Sequence, residues 1–155
     1  MRYSGHMATR VDDSLHAALR ARGQRVTPQR LMIAAAVRDM DHHATAEQVF
    51  TEVANRMPGV SLPTVYATLD LLEDLGLVRR VATEGGTAVY DPRTDHHHHM
   101  VCRRCGAIGD VDGAVDHGSL LSAARGAGFA PDEAQVVIRG LCAACRAAGA
   151  QAPPL

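Results

Sequence analysis

The chain has 155 residues, of which 46% are hydrophobic, and its formal net charge is −1. This length allows one ordinary domain or two small ones, and no apolar run approaches the ~20 residues that span a bilayer, which excludes a membrane-spanning protein. The near-zero charge argues against a uniformly basic nucleic-acid binder. However, seven arginines between Arg2 and Arg38 form a basic end that could meet a polyanion. The N-terminus lacks a signal-peptide pattern, so we expect a cytoplasmic protein.

The first ninety residues carry four helical patterns in succession. The second, third and fourth begin at or near a capping residue, and the first, third and fourth end at glycine or proline, the residues that stop helices. The clearest start is the capping box Thr45-Ala46-Glu47-Gln48, in which the side chains of the first and last residues bond to each other's backbone. The predicted helices are Asp12–Arg22, Pro28 to about Met40, a third from Ala46 to the Pro58-Gly59 stop, and a fourth from Ser61 to the Gly76 stop.

Two short apolar runs follow the fourth helix. Leu77–Val81 and Ala88–Tyr90 predict a two-stranded hairpin around a turn at 84–87. Helices followed by such a hairpin are typical of a winged helix. We therefore expect residues 1–90 to form a winged helix-turn-helix domain that binds DNA. Residues 1–7 end in Gly5-His6-Met7, a pattern typical of an expression-tag remnant.

The remaining residues predict a second, smaller domain. Residues 91–95 are expected to be a hinge, residues 96–150 a small α/β domain, and residues 151–155 a disordered tail. Short β-type runs at Met100-Val101, Ile108–Val111 and Val136–Ile138 surround one helix near Ser119–Gly126. The expected fold class is therefore mainly α with an α+β part.

All four cysteines lie in this second domain, as two Cys-x-x-Cys pairs separated by thirty-six residues. Two such pairs complete a tetrahedral Zn²⁺ shell with no open position, which is typical of a structural site. The alternatives are a pair of disulfides and a thioredoxin-like redox site. We predict structural zinc bound by Cys102, Cys105, Cys142 and Cys145.

A run of four histidines, His96–His99, precedes the first cysteine pair. On an extended segment alternate residues share a face, so His97 and His99 point one way and His96 and His98 the other. Carboxylates at Asp91 and Asp110 lie on either side of the run. Two or three imidazoles with carboxylates suit Fe²⁺, Mn²⁺ or Zn²⁺. The alternative is a solvated run that binds metals loosely.

Several ordered motifs together resemble the ferric uptake regulator (Fur) family of bacterial metal-responsive repressors. The resemblance runs from about Leu15 to Cys145. It implies a winged-helix DNA-binding domain, a homodimer formed by the second domain, structural zinc, a regulatory metal at the hinge, and an AT-rich palindromic operator in double-stranded DNA. The motifs are Arg25-Val26-Thr27-Pro28-Gln29-Arg30, His43-Ala44-Thr45-Ala46, Thr64-Val65-Tyr66, His97-His98-His99-Met100-Val101-Cys102, and Gly140-Leu141-Cys142.

Carried over by position, the resemblance implies a regulatory site shared by both domains. An ion bound by both would clamp them, and only a clamped dimer would hold its two recognition helices at the spacing of a palindrome. Metal would thus act as the co-repressor. The implied ligands are His43, Asp91, His97, His99 and Asp110.

The DNA contacts are expected at the basic end and at the start of the fourth helix. Arg20, Arg22 and Arg25 are candidates for phosphate or minor-groove contacts, with plain solvated arginines as the alternative. Many relatives have arginine or asparagine where this chain has Ala67. Base reading must therefore rest on a neighbouring side chain. The candidates are Ser61, Thr64 and Tyr66, and the alternative for Tyr66 is a place in the core.

The branch of the family is a finer prediction. Zinc sensors of the family tend to have a cysteine near Asp91 and nickel sensors extra histidines at 79–82, and both are absent here. Iron or manganese is thus the expected regulatory metal. Aspartate at both 91 and 110 resembles the peroxide-sensing branch, in which Fe²⁺ with peroxide oxidises histidine ligands, here His43 and His97. Regulators of catalase-peroxidase genes are similar in the His-rich stretch. The alternatives are an iron-uptake repressor and, less favoured, a zinc-responsive regulator.

Other classes of function have less support. A metallohydrolase would need a pattern such as His-Glu-x-x-His, which the sequence lacks, so we expect neither an enzyme nor a small-molecule substrate. A metal-storage module would bind metals loosely and ignore DNA. Ala134 occupies the place of a histidine that completes a third metal site in some relatives, which argues against that site. We expect His16, His42 and His117 to be solvated.

Overall fold

The computed structural model describes residues 6–40, 42–82, 87–132 and 134–149, with the backbone alone for 6–13 and 82. Contacts divide the chain after Thr94 into two compact units, which we call unit 1 (up to Thr94) and unit 2 (from Asp95). None of the described helices combines the length and hydropathy needed to cross a membrane. Most of the predicted turn at 84–87, the first five residues of the predicted tag remnant and the predicted tail at 151–155 lie outside the described residues.

Unit 1 contains the four predicted helices. The helix ends agree with the glycine signals, since Gly23 and Gly76 have φ angles of 65° and 68° that favour glycine. The first helix begins six residues before the predicted start at Asp12, because the preceding residues include no glycine or proline to stop it. The helices are α1 His6–Ala21, α2 Pro28–Met40, α3 Ala46–Arg56 and α4 Leu62–Asp74.

A three-stranded antiparallel sheet completes unit 1 as a winged helix. Its strands are β1 Ala44–Thr45, β2 Arg79–Ala82 and β3 Ala88–Asp91, in the order β1-β3-β2. Strand β1 is too short to show a period-2 pattern and was not predicted. Strand β2 begins two residues later than predicted, and β3 extends one residue further, to Asp91. The predicted winged helix-turn-helix fold is thus confirmed.

The hydrophobic core of unit 1 is continuous across its helices and the sheet. Apolar side chains from α1 to α4 meet Tyr90 of β3, whose ring is completely buried. This packing fixes α3 and α4 as the two helices of a helix-turn-helix. Fully buried members of the core are Leu19, Ile33, Val37, Val49, Val53, Val65, Leu69, Leu72 and Tyr90.

Unit 2 is a small α/β fold whose three strands form one sheet. The central strand β4 pairs antiparallel with β5 and parallel with β6. Neither helix of this unit buries a side chain. The buried residues among those described in unit 2 are three histidines, one cysteine and Val101, so this unit lacks an ordinary apolar core. The elements are β4 His98–Cys102, β5 Ile108–Val111, α5 His117–Gly126, β6 Val137–Gly140 and α6 Ala143–Ala147.

Candidate metal centres and nucleic-acid interface

The four cysteines of unit 2 meet at one point. Cys102 ends β4 and Cys142 caps the N-terminus of α6, so a strand end and a helix start bring the two pairs together. The four sulfur atoms all lie within 4.8 Å of one another. The backbone N–H of Cys142 donates to the Cys102 sulfur over 3.3 Å, and that of Cys145 donates to the Cys142 sulfur over 3.4 Å. The bond to Cys102 favours its thiolate form.

The pKa values of two of these thiols are shifted in opposite directions. Backbone N–H groups of Cys142 and Cys105 lower the pKa of Cys102 to about 6. The pKa of Cys145 is raised to about 12, first by its hydrogen bond with Cys142 and then by burial. One thiolate is therefore readily formed while a neighbouring thiol resists ionisation. A divalent cation resolves this conflict because it neutralises several thiolates at once.

The sulfur spacing fits zinc and argues against the alternatives. Zn–S bonds of about 2.3 Å place the sulfurs of a regular tetrahedron about 3.8 Å apart, and Cys105 and Cys142 are 3.7 Å apart. A disulfide would need about 2.05 Å, and all four cysteines are free. A thioredoxin-like site would use one pair at a strand-to-helix junction, whereas here both pairs contribute to one cluster.

Unit 1 brings together two of the predicted regulatory ligands, His43 and Asp91. Their positions follow from the sheet, because Ala44 of β1 pairs with Tyr90 of β3, and each ligand is the next residue outward. His43 Nε2 lies 3.4 Å from Asp91 Oδ2, and the two side chains are only 8% and 3% exposed. The other carboxylate oxygen of Asp91 accepts from the backbone N–H of Arg93 over 2.8 Å. A carboxylate oxygen of Asp91 and an imidazole nitrogen of His43 thus lie side by side in a buried position.

Unit 2 brings together the other three predicted ligands. His97 and His99 point to the same face, with their Nε2 atoms 3.0 Å apart. Asp110 lies opposite His99 on β5, and its carboxylate is 3.5 Å from His97 Nε2. The His97 ring is oriented by its Nδ1 contact of 2.8 Å with the carbonyl of Asp95. Two imidazoles and a carboxylate form a donor set that suits Fe²⁺ or Mn²⁺.

Gln135 is a site residue that sequence reasoning missed. Its side-chain amide contacts Nδ1 of His99 over 3.2 Å, on the side of the ring away from His97. Such a contact fixes the tautomer and orientation of a ligating imidazole. Gln135 is separated from His99 by 36 positions and belongs to no motif. The sequence therefore carried no indication of this contact.

The other face of the histidine run forms a third cluster, which corrects our expectation for His117. This residue begins α5, and its ring lies 4.8 Å from that of His96 and 5.0 Å from that of His98. Both ring nitrogens of His117 and Nδ1 of His98 are buried without a hydrogen-bond partner. They border a cavity of about 340 Å³ that is also lined by Asp112. Three imidazoles could hold a metal here even though Ala134 supplies no ligand.

The other two histidines expected to be solvated differ from each other. His42 is exposed and contacts the carbonyl of Met40, consistent with the expectation. His16 is half-buried in α1, and its Nε2 has no hydrogen-bond partner. The expectation for His16 was therefore wrong, because its ring is partly buried and its Nε2 is shielded from solvent.

The start of α4 presents the predicted base-reading side chains. Ser61 caps the helix, and its hydroxyl contacts that of Thr64 over 2.8 Å. Tyr66 is 36% exposed, so the alternative of a core position is wrong. Thr64 and Ala67 line a cleft of about 650 Å³ together with Arg25 and Arg30. Arg30 was not among our predicted DNA contacts.

The three predicted arginines occupy different surroundings. Arg25 is exposed at the cleft beside Thr64, where a phosphate could approach. Arg22 instead donates to the carbonyl of Asp74 over 3.3 Å, at the opposite end of α4. Arg20 is exposed in the last turn of α1. The structure thus groups Arg25, but not Arg22, with the start of α4.

Comparisons with known proteins found similarity along most of the chain. A model of the ferric uptake regulator family matches residues 21–138. The chain is 46% identical over 120 residues to ferric uptake regulation protein 1 of Mycolicibacterium fortuitum, covering 77% of this chain and 74% of that protein. It is 43% identical over 128 residues to the transcriptional regulator FurA of Mycobacterium tuberculosis, covering 82% and 86%.

Similarity to a named peroxide-responsive protein is lower. The peroxide-responsive repressor PerR of Staphylococcus epidermidis is 32% identical over 94 residues, covering 61% of this chain and 63% of that one. Among solved structures, the ferric uptake regulator from Pseudomonas aeruginosa with manganese superimposes with a TM-score of 0.66. It is 29% identical and covers 83% of this chain and 97% of the other.

Proposed function

The chain belongs to the ferric uptake regulator family, and on that basis we propose that it is a dimeric repressor that binds DNA when Fe²⁺ or Mn²⁺ is bound. Unit 1 would bind an AT-rich palindromic operator. Unit 2 would hold the structural zinc and would form the dimer interface. It would have no enzymatic activity and would act in the cytoplasm, where its DNA is found. The regulatory ion would be held jointly by His43 and Asp91 of unit 1 and by His97, His99 and Asp110 of unit 2.

The observation that carries this proposal is the incomplete donor set in each unit. His43 and Asp91 supply two buried donors, and the His97 cluster supplies three. Neither set alone reaches the coordination number of about six that such ions prefer with oxygen and nitrogen ligands. An ion that draws on both sets therefore favours one relative orientation of the units. Metal binding and DNA binding then stabilise each other by linkage.

A metal titration tests the proposal directly. Zinc-replete protein freed of other metals is mixed with a palindromic AT-rich duplex, and affinity is measured by fluorescence anisotropy as Fe²⁺ or Mn²⁺ is added without oxygen. We expect affinity to rise by about 5- to 150-fold, the usual range of coupling between two sites. A duplex of scrambled sequence is the control. Equal affinity with and without each metal would contradict the proposal.

We further propose peroxide sensing as a second function of this site. Aspartate at positions 91 and 110, both beside histidine ligands, supports it. Higher identity to ferric uptake regulation proteins than to PerR supports the alternative of iron-uptake control. In the sensing reaction peroxide transfers one oxygen atom to a ring carbon of His43 or His97, and its other oxygen leaves as water. The altered ring would no longer ligate the ion.

Mass spectrometry separates these alternatives. Fe²⁺-loaded protein is exposed to dilute peroxide and digested, and the peptides with His43 and His97 are examined for the gain of one oxygen. Zinc-loaded protein is the control, because Zn²⁺ has no redox chemistry. We expect peptides that have gained one oxygen atom in the iron-loaded sample only. Unmodified peptides in both samples would leave iron-uptake control as the function.

The third histidine cluster leads to a separate prediction. Replacing His117 with alanine is expected to remove one metal equivalent per chain, because it deletes one of three clustered imidazoles, and both nitrogens of its ring have no hydrogen-bond partner. Bound metal is measured by equilibrium dialysis against Zn²⁺ followed by elemental analysis. Ser122→Ala, at an exposed position of the same helix, is the control. Equal metal content in the two variants would show that this cluster holds no ion.

A further inference from the structure

The phenol of Tyr66 joins the two helices of the helix-turn-helix. Tyr66 lies in the second turn of α4, and its hydroxyl donates to Glu47 Oε1 over 2.7 Å. Glu47 belongs to the first turn of α3. Both residues are exposed, so the contact is on the surface of unit 1 and not within its core. Tyr66 is the one aromatic residue of α4, and this hydrogen bond holds its exposed side chain.

The capping box of α3 is completed by Gln48, the neighbour of Glu47, and not by Glu47 itself. In the capping box, the side chain of Gln48 accepts from the backbone N–H of Thr45, and Thr45 Oγ1 accepts from that of Gln48. The Glu47 side chain is therefore not needed to start α3. Its charge is compatible with the positive end of the helix dipole. The carboxylate can thus remain ionised while it accepts from Tyr66.

The protonation of the pair strengthens the contact. The Tyr66 hydrogen bond is the largest cause of a lowered pKa at Glu47, and the same bond is the largest cause of a raised pKa at Tyr66. Glu47 is therefore charged and Tyr66 neutral at neutral pH. A neutral donor paired with a charged acceptor makes one of the shorter and stronger kinds of hydrogen bond.

A carboxylate at this position is unfavourable for simple attraction to DNA. It lies on the helix pair that would approach the phosphates, and it repels them. A surface selected only for phosphate binding would carry a neutral or basic residue there. The geometry indicates a different role. The phenol has one hydrogen to donate, and the Glu47 carboxylate accepts it.

We propose that Glu47 is a positioning residue that directs the ring edge of Tyr66, and not its hydroxyl, toward a thymine methyl group. This inference rests on the proposed DNA-binding function and deepens it. With its hydrogen donated to Glu47, the phenol offers DNA mainly an apolar edge, which suits the methyl group that marks thymine in the major groove. The adjacent Ala67 leaves room for the base and forms no competing polar contact. Glu47 thereby sets base preference without touching a base.

The test uses duplexes in which uracil replaces thymine, because this change removes only the methyl group. Metal-loaded wild-type protein is expected to bind the uracil duplex about fivefold more weakly, a modest part of the cost of a lost base contact. In Glu47→Ala the ratio of the affinity for the thymine duplex to that for the uracil duplex should fall to about one. Glu47→Gln, whose amide oxygen can still accept from the phenol, should keep most of the preference. Glu52→Gln, at another partly exposed position of α3, is the matched control.

A double-mutant cycle distinguishes positioning from a general effect of charge. If Glu47 acts through Tyr66, then Glu47→Ala and Tyr66→Phe change the thymine-to-uracil ratio non-additively, and the double variant resembles either single one. Thermal melting establishes that each variant is folded. A wild-type ratio in folded Glu47→Ala would overturn the inference while metal-dependent DNA binding remains. Loss of metal-dependent binding in the wild type would overturn the proposed function, and the inference with it.

Discussion

Cys102→Ser is expected to unfold unit 2 and leave unit 1 folded. Serine has almost the shape of cysteine, but its hydroxyl does not supply an anionic sulfur ligand. A structural zinc contributes on the order of 10 kcal/mol to folding. The described part of unit 2 buries little apolar surface that could replace this contribution. Unit 1 has its own continuous core and does not depend on the ion.

Limited proteolysis with mass spectrometry, together with zinc analysis, measures the outcome. The variant should lose its zinc and become cleavable throughout unit 2, while fragments of unit 1 persist. Arg104→Ser is the matched control, because it changes an exposed residue of the same cysteine pair and keeps all four sulfurs. A Cys102→Ser protein that resists cleavage in unit 2 would show that apolar packing, and not the ion, stabilises this unit.

His43→Ala and His99→Ala are expected to have the same effect although the residues belong to different units. Each should remove the metal-dependent gain in DNA affinity. Loss of a direct ligand weakens metal binding by at least the 10- to 100-fold that is typical of losing a supporting residue. Both variants should retain structural zinc, because the cysteines are unchanged. The double variant should be no worse than either single one if both histidines bind the same ion.

Anisotropy titrations of DNA at fixed Mn²⁺, with parallel metal-binding isotherms, provide the measurement. His42→Ala is the control, since this histidine is adjacent to His43 in sequence but exposed. A full metal response in His43→Ala with none in His99→Ala would confine the regulatory ion to unit 2. The proposed clamp between units would then be wrong, even if the protein still binds DNA.

The local elements of unit 1 were predictable from short patterns. The capping box at Thr45 and the glycines at 23 and 76 mark the helix ends that the structure shows. These signals work because they depend on hydrogen bonds between residues within about four positions of each other. Strand β1 and helix α6 were missed, since elements of two and five residues are too short for periodicity to identify.

The metal ligands were predictable only in part. Alternation along the histidine run correctly separated His97 and His99 from His96 and His98. It could not indicate that α5 brings His117 to the second pair, nor that Gln135 reaches His99. Residue type and spacing define what one segment offers. Which other segment meets it depends on how the sheet and helix pack.

The sequence alone therefore determined the winged-helix pattern, the two cysteine pairs and the two faces of the histidine run. Each depends on neighbouring residues or on ligand chemistry, and both are visible in the order of residue types. Only the tertiary structure decided that Arg22 turns to the end of α4 and that Glu47 holds Tyr66. These partners lie 52 and 19 positions apart. Contacts at such separations arise from packing of the core, because no local hydrogen-bond pattern specifies them.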